Sequence, residues 1–477
     1  MNPATGDVPV FVAPESPRLK LFSTLIICAG SLFTAFTLPD GLLELDTYRY
    51  CAYTMIVTLA LAIGVEGMGG VRSLIRVDIV AICTLYFLTF AEFLHPHVRL
   101  LYDEPTGGAI MACHLVLVGL SCIAIGRHIS FAPRSNKVRK QRTSLPEVSP
   151  QAIVKIFFLF AFVGYLYVLL VTHFNIAEIV TQLLKPRFMR PWQRSQEGGW
   201  VSFLTELQLL LYLVAAFGGY MFANAGQFGM KTRIGAAAIL LFMLFFDFSE
   251  GARNVVLIKA GLFLVTYFIS SRHAHNIRII LLSVAGLLSL WVVSAYMLDF
   301  RNQGLGNYLT VDSAVADNAG FMIDNNMVSI ARVVEVFPSA YPFPGSDIVI
   351  QVFTKWVPRA LWPDKPVEWS NSIESALNTG GGYTLAVTYV GEAYLIAGLP
   401  SLILVSLLIG AAASAWTRVG LAARTNLDLI YYASGFFAAT LGMRSIQFVT
   451  VAMIPTVAFY LFGRYLMRQP RRPRYAL

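Results

Sequence analysis

The sequence predicts an all-α polytopic membrane protein with about twelve transmembrane helices and a large, partly helical outer loop between spans nine and ten. Of its 477 residues, 56% are hydrophobic and only 13% are charged, and the mean hydropathy is +0.64. Apolar runs of about 18 residues or more recur along the chain. Because hydrocarbon cannot satisfy backbone N–H and C=O groups, each run is expected to form a helix.

The predicted spans fill most of the chain. They cover residues 20–38, 50–67, 75–95, 108–128, 152–173, 201–223, 233–249, 253–271, 277–298, 395–417, 426–443 and 446–466. This divides the chain into a cytoplasmic N-terminal segment, spans one to nine, the large outer loop, spans ten to twelve and a basic cytoplasmic tail, at residues 1–19, 20–298, 299–394, 395–466 and 467–477.

The basic residues indicate the orientation, because Lys and Arg in short loops stay in the cytoplasm. With the N-terminus inside, the inner loops hold Arg72, Arg76, Arg127, Arg134, Lys137, Arg139, Lys140, Arg142, Lys231, Arg233, Arg272, Arg278, Arg418 and Arg424. An even number of spans then places both termini in the cytoplasm. The basic linker 129–150 and the tail are interpreted as topology determinants attracted to anionic lipid, so the net charge of +9 does not indicate nucleic acid.

The cysteines predict neither a disulfide framework nor a metal site. All lie in or beside spans of the N-terminal third, where small apolar packing is expected, at Cys28, Cys51, Cys83, Cys113 and Cys122. The sequence also lacks the phosphate-binding and dinucleotide-binding loops of soluble-nucleotide enzymes. No cofactor and no metal are therefore predicted.

Two outer segments break the charge rule. The first, 174–200, is basic, with Lys185, Arg187, Arg190 and Arg194. It is either an amphipathic helix on the outer leaflet or a cationic rim around an anionic headgroup.

The second is the large loop, which holds ten acidic and five basic residues. Its residues 320–338 have the pattern of an amphipathic helix. Residues 343–392, dense in Pro, Trp, Gly and paired charges, are expected to form an ordered structure at the membrane surface.

Aromatic and cationic residues are concentrated on the predicted outer side. Five of the seven tryptophans lie in the two segments, either as an interfacial belt or as stacking partners for sugar rings: Trp192, Trp200, Trp356, Trp362 and Trp369. Arginine matches phosphate oxygens bidentately, so a phosphate site is the alternative to separate snorkelling side chains for Arg253, Arg301, Arg359, Lys365 and Arg444.

The acid–base candidates are Glu392, Asp324, Glu250 and Glu368. Glu392 lies where the apolar tenth span begins, so its pKa should be raised towards that of a general base. A helix-end carboxylate paired with Arg is the equal alternative. Within the spans, Glu66, Asp78, Glu206 and Asp247 are expected to face the bundle interior, and Glu206 and Asp247 to lie near the outer side.

The run Val357-Pro-Arg-Ala-Leu-Trp-Pro-Asp-Lys-Pro366 resembles the P-R-x-x-W-P-x-K-P signature of oligosaccharide repeat-unit polymerases, the Wzy-type O-antigen and exopolysaccharide polymerases. The segment Gly391-Glu-Ala-Tyr394 followed by Gly398 looks like the family's G-E-x-Y-x-x-x-G pattern, and Gly251-Ala-Arg253 is similar to its G-S-R turn. The predicted arrangement of spans, cytoplasmic ends and one dominant late outer loop is also similar.

The resemblance implies metal-independent glycosyl transfer on the periplasmic face of a bacterial inner membrane. An undecaprenyl-pyrophosphate-linked glycan would be the donor and a lipid-linked repeat unit the acceptor. Membrane lipid, a chain-length regulator and a flippase are the other implied partners. On this hypothesis Arg253, Arg301, Arg359 and Lys365 bind the pyrophosphate, Glu392 (or Asp324 or Glu250) takes the acceptor proton, and sugars or headgroups contact Trp362, Trp369, Tyr394, Arg187 and Arg190.

The alternatives are an O-antigen ligase, another polyprenyl-linked glycosyltransferase, or a non-enzymatic flippase or exporter. The related ligases carry a functional His in the outer loop, and no His follows His275 here. A flippase should have polar residues throughout its spans, whereas polarity in this sequence is predicted to concentrate on the outer face. Both observations favour a polymerase.

Overall fold

The computed structural model is all-helical over the residues it describes. These are residues 16–39, 41, 43–96, 98, 100, 107–129, 144–193, 200–251, 253–271, 277, 280–286, 297, 304–310, 326–357, 361–362 and 386–468.

The α-helices that these residues form are numbered here in chain order. They are α1 Pro17–Thr37, α2 Glu44–Gly67, α3 Val77–Thr89, α4 Ala109–Gly126, α5 Pro150–Gly164, α6 Leu166–Val171, α7 Ile176–Leu183, α8 Trp200–Glu206, α9 Leu210–Ala223, α10 Met230–Ser249, α11 Arg253–Ser270, α12 Leu305–Thr310, α13 Asn326–Val336, α14 Ser346–Thr354, α15 Thr388–Ala397, α16 Leu399–Leu421, α17 Asn426–Arg444 and α18 Gln447–Arg468. Short 3-10 helices lie at Val71–Leu74, Ala91–Leu94, Arg187–Met189, Pro191–Gln193, Leu207–Leu209 and Ala225–Gln227.

Eight helices in the described ranges are long and apolar enough to cross a membrane. They are α1, α2, α4, α10, α11, α16, α18 and the helical stretch Phe203–Ala223, which contains α9. Each coincides with a predicted span, so the helical architecture of a multi-pass membrane protein is confirmed here. Of the other four predicted spans, α3 and α5 are shorter apolar helices, α17 has 19 residues, and 277–298 is only partly described. Twelve spans, the loop topology and the orientation remain predictions.

Glycine allows α4 and α16 to pack in direct backbone contact. A Cβ atom at Gly410 would lie 2.2 Å from the carbonyl oxygen of Ile123, and one at Gly126 would lie 2.3 Å from that of Leu407. Both distances are too short for any side chain. Small residues at a helix crossing are a common basis of helix association in membranes.

The buried apolar residues form two large cores. The first is built mainly from α5, α9, α10, α11, α17 and α18, and it includes Trp192 and Phe246. The second is built mainly from α2, α3, α4, α13 and α15, and it includes Tyr394. The predicted outer-side residues are divided between these cores.

An amphipathic helix is predicted within residues 320–338, and α13 confirms the helix, although none of its residues is exposed. Its buried face includes Met327, Ile330 and Val333, each 0% exposed. The helix packs against the start of α4, where the backbone N–H of Gly108 donates to the Glu335 carboxylate at 3.1 Å. This part of the large loop is therefore joined to the bundle.

Candidate functional site

Glu392 lies in the middle of α15 and is only 7% exposed. Its carboxylate accepts hydrogen bonds from the Ser445 hydroxyl at 2.5 Å and from the backbone N–H of Ile446 at 2.6 Å. Ser445 and Ile446 form the turn between α17 and α18. Glu392 therefore caps the start of α18, where the helix dipole favours a negative charge.

Burial raises the pKa of the Glu392 carboxyl to about 7, because its charge is poorly solvated in the protein interior. The Ser445 hydroxyl, the N–H groups of Ile446 and Gln447 and the positive charge of Lys355 act in the opposite direction. A carboxyl that exchanges its proton near neutral pH has the property that a general base requires.

Two side chains connect this site with the large loop. Lys355 follows α14, and its Nζ lies 3.9 Å from the centre of the Phe448 ring. Tyr394, predicted to bind substrate, is 7% exposed, and its hydroxyl donates to the carbonyl of Phe337 at 3.3 Å. Tyr394 thus holds the turn after α13 against α15. We call Glu392, Ser445, Ile446 and Lys355 the Glu392 cluster.

Arg190 occupies a different place from the one predicted. It is 0% exposed, and its guanidinium donates to the carbonyls of Leu183, Lys185 and Ser249 at 2.7–3.1 Å and to the Ser249 hydroxyl at 3.1 Å. These bonds tie the segment after α7 to the end of α10. The predicted role of guiding an incoming headgroup is therefore corrected to a positioning role, because the guanidinium is enclosed by backbone carbonyls.

Glu250 lies in the same turn and accepts a hydrogen bond from the indole N–H of Trp192 at 2.8 Å. Trp192 is 4% exposed and stacks on Phe246, with the ring centres 5.7 Å apart. Arg187 and Arg253 are half-buried near this turn. We call Arg190, Trp192, Ser249 and Glu250 the Arg190 cluster.

A buried ion pair joins α10 and α11. The Nζ of Lys259 lies 2.8 Å from the Asp247 carboxylate, and both side chains are nearly inaccessible. Asp247 therefore faces the bundle interior, as predicted. Glu206 is exposed, so the same prediction is wrong for that residue, which lies at the end of α8 before the tightly packed part of its helix begins.

The described site residues belong to elements of different apolar cores. Glu392 belongs to an element of the second core, whereas Trp192 of the Arg190 cluster packs in the first. Trp362 is 37% exposed. The remaining predicted site residues lie outside the described residues: Asp324, Arg301, Arg359, Lys365 and Trp369.

A third polar cluster lies at the predicted cytoplasmic end. The Glu66 carboxylate pairs with Arg76 at 2.5 Å and with Arg127 at 2.6 Å. Asp78 pairs with Arg76 at 3.0 Å and accepts from the Thr417 hydroxyl at 3.1 Å. These five side chains, together with Lys20, which donates to Ser414, are at most 5% exposed.

This inner cluster joins α1, α2, α3, α4 and α16, and sequence reasoning did not anticipate it. The charge pattern alone predicts topology determinants at Arg76 and Arg127, although acidic residues at the neighbouring span ends are a usable signal for ion pairs. The prediction that polarity concentrates on the outer face is therefore wrong. Every one of these charges is paired or hydrogen-bonded, so the cluster holds the ends of these five helices together.

A groove of about 870 Å³ lies between residues 144–148, α5 and α18, at the predicted cytoplasmic side. It includes no residue of the three polar clusters. Within the described ranges, no group of three or more His, Cys, Asp or Glu side chains is arranged to hold a metal ion. No protein-family model, no curated protein and no solved structure matches the chain.

Proposed function

We propose that this chain polymerises undecaprenyl-pyrophosphate-linked oligosaccharide repeat units into O-antigen or exopolysaccharide. The reaction would take place on the periplasmic face of a bacterial inner membrane, by glycosyl transfer without a metal ion. The proposal rests on the resemblance of the Pro-Arg/Trp-Pro run and of the Gly391-Glu-Ala-Tyr394 segment to Wzy-type polymerases.

The observation that supports it best is the environment of Glu392. This carboxyl is buried, its pKa is raised to about 7, and it accepts a hydrogen bond from a hydroxyl, that of Ser445. A general base for glycosyl transfer needs such a carboxyl, because an acceptor hydroxyl must lose its proton as it attacks. Lys355 adds a positive charge beside it.

In the proposed reaction, the acceptor hydroxyl oxygen forms a bond to the anomeric carbon of the donor sugar. The bond from that carbon to the pyrophosphate oxygen breaks, and undecaprenyl pyrophosphate leaves with the electron pair. The proton of the acceptor hydroxyl passes to Glu392. Cationic side chains stabilise the charge that develops on the pyrophosphate, and Arg253, Arg301, Arg359 and Lys365 are the candidates.

Reconstitution tests this proposal directly. The purified protein is placed in proteoliposomes with lipid-linked repeat units, EDTA and no nucleotide sugar. Glycans of two or more repeats on one lipid carrier support the proposal. Unchanged single repeats, with a protein that remains folded, contradict it.

The inner cluster favours one second candidate, an exporter of the same glycolipid. Paired charges that hold five helices together at one end of a bundle are suited to closing a path across the membrane. In the same proteoliposomes an exporter would move single repeat units between leaflets without lengthening them.

A further inference from the structure

Helix α14 presents an apolar stripe away from the protein. Its four side chains are Val349, Ile350, Phe353 and Trp356 in the turn that follows, with 39%, 47%, 65% and 52% of their surface exposed. Residues spaced by three, four and seven positions lie on one side of a helix. The other side is buried through Ile348 and Gln351. The stripe is therefore a continuous apolar surface with no charged residue in it.

Hydrogen bonds near both ends of α14 join it to α15 and to α18. The N–H of Gly345, just before α14, donates to the carbonyl of Leu395, close to the start of α16. The Thr450 hydroxyl donates to the Val352 carbonyl at 2.5 Å. Thr450 lies in the first turn of α18, about 5 Å along the axis from its beginning. Helix α14 thus lies at the level at which two candidate spans begin.

We propose that α14 is an interfacial helix whose stripe is embedded among the acyl chains of the adjoining leaflet, which is the outer leaflet in the predicted orientation. Amphipathic helices of this kind lie about 5–10 Å into the boundary between headgroups and acyl chains. The bond from Thr450 places α14 beside the first turn of the candidate span α18. The tryptophan at the end of the stripe is the residue type that membrane proteins place at this depth.

The candidate span α16 also exposes apolar side chains near its start. Leu399 and Leu404, near the start of that helix, are 39% and 59% exposed. Acyl chains cover such leucines in a bilayer, and the residue before α14 is hydrogen-bonded to α15, which leads directly into α16. A bilayer is therefore the occupant that accounts for the stripe and for the adjoining surface together.

This placement has a consequence for Glu392. Lys355 projects from α14 towards Phe448, and its charge acts on the Glu392 carboxyl. An embedded α14 therefore puts the Glu392 cluster at the boundary between lipid and water. If the proposed function holds, this is the depth at which the pyrophosphate of a lipid-linked glycan lies.

Collision experiments on nitroxide labels test the placement independently of any activity. A nitroxide is attached at Phe353→Cys, and at Asp347→Cys as the matched control on the polar part of the same helix, in a chain whose five native cysteines are replaced by Ala. In phosphatidylcholine vesicles, the ratio of collisions with oxygen to collisions with a water-soluble nickel chelate should be several-fold higher at position 353. Equal ratios would place the stripe in water, and exclusion of both reagents would show that protein covers it; either result overturns the proposal.

Quenching of the native tryptophans provides a second measurement without cysteine replacement. Lipids brominated near the headgroup end of the acyl chain should quench a smaller fraction of the fluorescence in Trp356→Phe than in the wild type. Trp192→Phe is the matched control, because Trp192 is buried in the first core and contributes little quenchable fluorescence. Equal quenched fractions in the wild type and in Trp356→Phe would contradict an embedded stripe.

Discussion

The backbone N–H of Ile446 donates to the carboxylate of Glu392 at 2.6 Å, so that a residue of α15 fixes the turn between α17 and α18. The same carboxyl has a pKa of about 7. Glu392 therefore combines a structural role with an acid–base property. The two roles can be separated by a substitution that keeps the hydrogen bonds and removes the titration.

Glu392→Gln is that substitution. The amide oxygen still accepts from Ile446, and the amide N–H can donate to the Ser445 oxygen, so the protein should insert and fold. Without a proton acceptor, polymer formation should fall by about a hundredfold or more, measured as chain-length distribution on gels. Glu250→Gln, whose amide oxygen can still accept from Trp192, should form polymer of wild-type length if Glu392 is the base. If Glu392→Gln still forms glycan of full length, the general base is Glu250 or Asp324 instead.

Stability should depend on pH through Glu392. Its pKa is about 7 in the folded protein against the ordinary value of 4.5, so the folded state holds the proton more tightly. The contribution of Glu392 to the free energy of unfolding is therefore greatest below pH 4.5. It falls as the pH rises towards 7, by up to about 1.4 kcal/mol per pH unit. The melting temperature of the wild type should decline across this window relative to that of Glu392→Gln. Parallel curves would show that the carboxyl titrates normally.

Arg190 should contribute to stability rather than to substrate binding. Arg190→Lys keeps the charge but cannot reach three carbonyls at once, so we expect a loss of about 1–3 kcal/mol in the free energy of unfolding. Ser249→Ala should show coupling with it in a double-mutant cycle, because Arg190 donates to the Ser249 hydroxyl. If Arg190→Lys instead has a normal melting temperature and a raised KM for the glycolipid, Arg190 binds the headgroup of the substrate.

The inner cluster should be sensitive to the loss of a single charge. Glu66→Gln leaves Arg76 and Arg127 buried with less compensation, which should cost about 3–5 kcal/mol in detergent unfolding. Glu206→Gln is the matched control at an exposed position and should change stability by less than about 0.5 kcal/mol. Equal stability of the two variants would show that the buried ion pairs are energetically neutral.

Hydropathy was sufficient to predict the helical membrane class, because each apolar run has only one way to satisfy its backbone in lipid. The amphipathic pattern also located α13 in the large loop. Eight of the predicted spans coincide with helices of sufficient length. Single-residue roles were harder to predict, because an Arg in an outer segment can face a ligand or a set of backbone carbonyls.

Arg190 illustrates this limit, since one of its partners, Ser249, lies at the end of α10, about sixty residues away in sequence. The inner cluster was missed for the same reason, because Arg127 is distant in sequence from its partners Glu66 and Asp78. Arg76, Glu66 and Arg127 come together only because α2, α3 and α4 converge at one end. For Glu392 the sequence predicted burial and a raised pKa, but its partners at Ser445 and Ile446 come from a turn that carries no recognisable motif.

The glycolipids of a deletion strain test the central claim most directly. We predict that cells lacking this protein accumulate single repeat units on undecaprenyl pyrophosphate in the periplasmic leaflet, and that the wild-type gene, but not Glu392→Gln, restores long chains. Accumulation of single repeat units in the cytoplasmic leaflet would contradict a polymerase and would support the exporter.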